Sequence, residues 1–163
     1  VPAGDRIYAA DGQRVVARGR RTSTSSISSG VELPVLRLDN IPVFDSKGYR
    51  ILTSNINMDG SIANDVGDAR LRIVQAATPG TLATIASTQV GHFRNTIDDP
   101  VQSNVHPLSV YYWPSADGYL SILLSVQRVA GTGTVALFCS ATELLDLVVE
   151  ELGTDPGDTG VVL

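Results

Sequence analysis

Tyr119-Leu-Ser-Ile-Leu-Leu-Ser-Val-Gln-Arg128 decides the fold of this chain. Leu120, Ile122, Leu124 and Val126 occupy every second position, the period of a strand with one face turned to a core. Asp117-Gly118 before the run and Gly131-Thr-Gly133 after it are turn signals, so the run is a bounded strand. On its C-terminal side a second apolar run covers Thr134 to Ser140. On its N-terminal side Leu108-Ser-Val-Tyr-Tyr-Trp113 ends at Pro114.

The same grammar runs upstream. Ala69-Arg-Leu-Arg-Ile-Val74 puts Leu71 and Ile73 on one face and Arg70 and Arg72 on the other. Val35-Leu-Arg-Leu38 ends at Asp39-Asn40, and the stretch from Tyr49 to Asn57 ends at Asp59-Gly60. Ala77 to Gly80 reads as a turn and Leu82 to His92 as a small-residue strand. Asn95 to Asn104, with Asp98-Asp99-Pro100, reads as a loop. About eight strands with turn signals every 8–12 residues predict a sandwich or barrel. No strand alternates with a long helical pattern, which argues against a doubly wound α/β fold. Eight antiparallel strands in two sheets predict an all-β sandwich of the jelly-roll type.

Composition agrees with a single globular domain. The chain has 163 residues, 43% apolar and 18% charged, and a chain of this length buries roughly 70% of its unfolded surface. The net charge of −5 gives no bulk attraction to nucleic acid or anionic membrane. Charge is unevenly placed. Residues 1–21 carry Arg6, Arg14, Arg18, Arg20 and Arg21 against Asp5 and Asp11. After Arg128 come Glu143, Asp146, Glu150, Glu151, Asp155 and Asp158 with no base. A basic head and an acidic end can meet between subunits; the alternative is solvated charge at two termini. No run approaches the ~20 apolar residues of a membrane helix. The first residues lack the apolar core of a signal peptide, so a soluble product not exported by that route is expected.

Residues 1–30 are expected to form an N-terminal arm and linker, 31–152 the sandwich and 153–163 an extended acidic tail. Within the linker, Thr22 to Gly30 is nearly all Ser and Thr, which suits either a flexible joint or an exposed strand. Thr142-Glu-Leu-Leu-Asp-Leu-Val-Val-Glu-Glu-Leu-Gly153 is ambiguous. Thr142 as N-cap, Glu143 in the first turn and Gly153 as C-cap would make a helix. As a strand it places Leu145, Leu147 and Val149 on one face.

His92 and His106 have no Cys, His or carboxylate at metal-ligand spacing. Cys139, the one cysteine, lies in an apolar run and reads as a small buried hydrophobe. Gly131-Thr-Gly-Thr lacks the Lys-Ser/Thr of a phosphate loop. No Gly-x-Ser-x-Gly turn supports a nucleophilic serine. Asp59 to Asp68 offers oxygen ligands, but the spacing is not that of a calcium loop, and turn formation accounts for its Asp, Asn and Gly. Asp98 and Asp99, adjacent, are a poor glycosidase pair. No cofactor and no enzymatic activity are expected. Tyr111, Tyr112, Trp113 and Tyr119 cluster in sequence. They read as intersubunit packing or as a glycan platform, with Tyr111 and Trp113 on one strand face and Tyr112 on the other.

From about Val35 onward the chain resembles small virion proteins of tailed phages that infect actinobacteria. The resemblance lies in Leu36-Arg-Leu-Asp-Asn-Ile-Pro-Val43, Gly48-Tyr-Arg-Ile-Leu-Thr-Ser54, Gly118 to Gly133, and Val148 to Val161 with its Gly-Asp-Thr-Gly stretch. Such proteins are minor tail proteins, head fibres or capsid decorations. The resemblance implies a TNF-like jelly-roll homotrimer on a capsid or tail surface, made in the host cytoplasm. It also resolves 142–152 as the final strand. The implied partners are sister copies, a major capsid protein or tail proteins, and a host surface glycan. Arg14, Arg18, Arg20 and Arg21 are the expected particle-attachment residues.

Overall fold

The computed structural model describes residues 14–98 and 104–154. Among them run eleven strands: β1 Arg14–Arg21, β2 Leu33–Val43, β3 Lys47–Thr53, β4 Ile56–Gly60, β5 Val66–Ala76, β6 Thr88–Thr96, β7 Asn104–His106, β8 Ser109–Tyr112, β9 Gly118–Ala130, β10 Val135–Phe138 and β11 Leu145–Thr154. Every strand pairing is antiparallel.

Three pairs of strands are single courses with one interruption each. β3 runs into β4, β7 into β8, and β10 into β11. At the interruption the backbone is stitched by Thr53 N–H to Leu108 O (2.9 Å) and Ser54 N–H to Asp146 O (2.9 Å). Side chains complete it: Leu108 N–H donates to Thr53 Oγ1 and Asp146 N–H to Ser54 Oγ. One layer therefore reads β1, β10/β11, β3/β4, β7/β8, and the other reads β2, β9, β5, β6. First course pairs with last, second with seventh, third with sixth and fourth with fifth. This is a long antiparallel ribbon rolled up on itself, which defines the jelly roll. The stretch 142–152, ambiguous in sequence, forms β11 over most of its length.

The core lies between the layers. Tyr49, Ile51, Ile56 and Met58 from one side meet Leu71, Leu120, Ile122, Leu124 and Val126 from the other. β9 is central and buried on both faces, since Ser121, Leu123 and Ser125 are covered as fully as the apolar set. β2 carries Pro34 and Pro42 inside a strand. It stands at a sheet edge and is bulged near both, which is where proline is tolerated.

Three expectations need correction. The arm and linker of 1–30 do not stand apart where they are described. Arg14–Arg21 is β1, paired with β11 along its length. The Ser/Thr segment continues the same edge: Ser25 N–H bonds Leu137 O, and Ser28 exchanges bonds with Val135. Its hydroxyls make this possible, because Ser25 Oγ accepts from Leu137 N–H where a ladder bond would be. Second, the expected strand from Leu82 begins only at Thr88. Thr84 and Ser87 bond each other's backbone, and such local turns compete with a ladder. Third, Tyr49 to Asn57 is two strands and not one. Residues 1–13, residues 99–103 of the expected loop, and most of the tail, 155–163, lie outside the described residues.

Candidate functional site

The outer face of the β1–β11–β3–β8 sheet carries Tyr111, Arg50, Glu150 and the arginines of β1. Register places Tyr111 opposite Arg50, Arg50 opposite Glu150 and Glu150 opposite Val15, one row across four strands. The next row is Ser109, Leu52, Val148 and Arg18. Arg50 holds Glu150 through Nε (2.9 Å) and Nη2 (2.6 Å), and that bond raises the guanidinium's pKa further.

Tyr111 and Trp113 are 56% and 45% exposed. Their rings stack with centroids 5.8 Å apart and planes 29° apart. Gly48 seats the indole: a Cβ at Gly48 would lie 2.9 Å from Trp113 Nε1. Only a residue without a side chain lets the ring lie down on β3. Tyr112 points the other way, packs on the core and donates its hydroxyl to Gln75 Oε1. Burial pushes its phenol pKa up. Tyr119 is on β9 in the other layer, opposite Pro42 and Ala76. The structure thus joins Tyr111 with Trp113 and separates Tyr112 and Tyr119 from them.

The arginines meet the acidic end within one chain. Arg18 and Arg20 converge on Asp146 at 2.6 and 2.7 Å. Bonds from Arg20 and Arg18 hold the Asp146 carboxyl at about 2 against the opposing effect of burial. Arg21 donates to the carbonyls of Ser23, Thr24 and Val35. Arg14 is the loosest, 63% exposed and 3.6 Å from Glu151.

Sequence reading missed a charged network on the outer face of β5 and β9. Glu32, between Val31 and Leu33, accepts from Arg70 (2.8 Å), Arg72 (2.6 and 2.8 Å) and Ser125. Asp68 accepts from Arg70 (2.9 Å) and Arg94 (2.6 and 2.9 Å). The alternation of Arg70 and Arg72 with Leu71 and Ile73 was a signal for a polar face, but not for a partner. Among the described residues no three His, Cys, Asp or Glu side chains are placed to hold a metal ion. No helix there is long and apolar enough to cross a membrane.

No family model and no curated protein matches this chain. Solved structures similar to it include the infectious bursal disease virus VP2 subviral particle, at 16% identity and a TM-score of 0.43 over 88% of this chain; the chain spans 38% of that one. Eiger TNF from S. frugiperda is 12% identical, with a TM-score of 0.43 over 91% of this chain and 100% of its own. A CBM4 structure is 15% identical, with a TM-score of 0.38 over 91% of this chain and 83% of its own. The strand order described above, independent of these likenesses, defines the chain as a jelly-roll protein.

Proposed function

We propose that this chain is a non-enzymatic structural protein of a virion surface. In this reading it is a homotrimeric decoration or head-fibre protein of a tailed phage, with tail placement as the alternative. The observation that carries self-association is the stacked Tyr111–Trp113 pair, exposed on a sheet face beside Leu52 and Val148. Aromatic rings with a polar handle are favoured at protein interfaces, and a neighbour covering β8 would also protect a short, open sheet edge. The phage assignment rests on the sequence resemblance. Partners beyond sister copies would be a major capsid or tail protein, with Arg14 the attachment arginine least engaged by its own chain.

Mass measurement in solution tests the assembly. A trimer at micromolar concentration is expected, with Trp113→Ala shifting it toward monomer while the fold persists. A wild-type monomer at high micromolar concentration overturns the reading. A second reading uses the same pair as a stacking platform for a host glycan. It predicts glycan-array binding that Trp113→Ala abolishes, in a protein whose mass does not change with that substitution.

A further inference from the structure

At the end of β9 lies a cavity of about 310 Å³, lined by Gly30, Arg70, Gln127, Arg128 and Gly131 among others. Arg128 Nη1 donates to Gly131 O at 2.6 Å and Nη2 to Ser29 O. These two carbonyls fix the plane of the guanidinium. They use two of its five N–H donors and none of its charge. Gly30 (φ 130°) and Gly131 (φ 95°) shape the two turns that supply them, with backbone angles that few other residues adopt. Gln127 Nε2 donates to Gly30 O at 2.8 Å and keeps a second hydrogen.

Charge sets Arg128 apart from its neighbours. Arg70 is matched by Glu32 and Asp68, Arg72 by Glu32, and Arg94 by Asp68. Arg128 has no carboxylate in ion-pair reach among the described residues; its guanidinium bonds only neutral carbonyls. Asp65, beneath the turn after β9, spends Oδ1 on the N–H groups of Thr132 and Gly133. Even with Asp65 counted, four guanidinium groups here outnumber the carboxylates, in a chain whose net charge is −5. Arg21 is also held by carbonyls, but by three of them, as a tie from β1 to β2 and the Ser/Thr segment.

An unmatched, oriented guanidinium on a cavity calls for an anion with acceptor oxygens. A neutral ligand would leave the charge unmet. A carboxylate has two oxygens, and one guanidinium fork uses both. A tetrahedral oxyanion gives two oxygens to Arg128 and keeps others for the remaining hydrogens of Arg70 and Gln127. We infer that this cavity binds a phosphate or sulfate group, with Arg128 as the principal contact. The site belongs to the β2–β9–β5–β6 layer, so the inference does not depend on the Tyr111–Trp113 face or on the oligomeric state.

The test is an NMR titration of the ¹⁵N-labelled 163-residue chain with sodium phosphate, sodium sulfate and methyl phosphate, against sodium acetate and sodium chloride at equal ionic strength. Phosphate and sulfate should shift the backbone signals of Gly30 and residues 127–131 and saturate at millimolar concentration, while acetate and chloride leave them in place. Methyl phosphate shifting the same signals assigns the site to a group carried on a larger molecule; no shift with it, beside binding of phosphate, assigns the site to the free ion. Arg128→Gln should weaken phosphate binding about tenfold. Arg128→Lys keeps the charge without the fork and should weaken it less. A dispersed spectrum of each variant confirms its fold. Arg94→Gln removes a charge outside the cavity lining and should weaken binding less than Arg128→Gln does. Equal shifts with acetate or chloride, no shift with phosphate and sulfate, undiminished binding by Arg128→Gln, or equal losses in Arg94→Gln and Arg128→Gln would each overturn the assignment.

Discussion

Glu32 shows how one side chain can tie a connecting segment to a sheet. It is 9% exposed and bound by two guanidinium groups and a hydroxyl. Burial alone would raise its pKa; the bonds from Arg72, Ser125 and Arg70 outweigh that and hold it at about 2, below its ordinary 4.5. Because the folded pKa is the lower one, the stabilisation is full above about 4.5 and is lost as pH falls from there toward 2. The difference corresponds to about 3 kcal/mol, an order of magnitude for one carboxylate. Urea unfolding between pH 7 and pH 3 measures it. Wild type should lose stability more steeply in the acid range than Glu32→Gln, and the variant should already be weaker at pH 7 by about 2–3 kcal/mol. Parallel pH profiles would refute the role. The residue was illegible in sequence for a plain reason: its partners lie 38, 40 and 93 positions away, and a carboxylate beside Val31 reads as solvent-facing.

At the scale of elements, legibility tracked how much of a strand's environment is apolar. β9 was readable because alternating Leu, Ile and Val leave one interpretation. Its second buried face was not, since Ser121 and Ser125 are covered by Ala83 and Glu32 from distant segments. β1 reads in sequence as part of an arm because arginines dominate it, and in the sheet four of its eight residues stay exposed. The contact between layers gives an element-level test. Gly67 of β5 lies against β4 and β10: a Cβ there would sit 2.4 Å from Met58 Sδ and 2.6 Å from Val135 Cγ1. Gly67→Ala forces both side chains aside and should cost about 1–3 kcal/mol by overpacking. The measurement is a calorimetric melt. An unchanged melting temperature would mean that the two layers are not in close contact at this point.

For the whole molecule, the rolled ribbon makes the two ends of the described chain structural partners, because its first and last courses close one sheet. β1 lends Val16 and Ala17 to the core surface, and its Gly19 abuts Leu36 and Leu38 of β2. A detachable arm and a closing strand predict opposite results when residues 1–21 are deleted. An arm would leave the thermal melt untouched. A closing strand bares the backbone edge of β11 and uncovers apolar surface, so the deletion should lower the melting temperature markedly and increase binding of an apolar-surface dye. Removing charge alone separates backbone pairing from ion pairing. Arg18→Ala with Arg20→Ala loses the bonds to Asp146 but keeps the ladder, and exposed ion pairs contribute little. That double variant should melt close to wild type. If it fell as far as the deletion, the sheet would be closed by its charges and not by its strand. If the deletion melted like wild type, β1 would be an appendage after all, free to reach another surface.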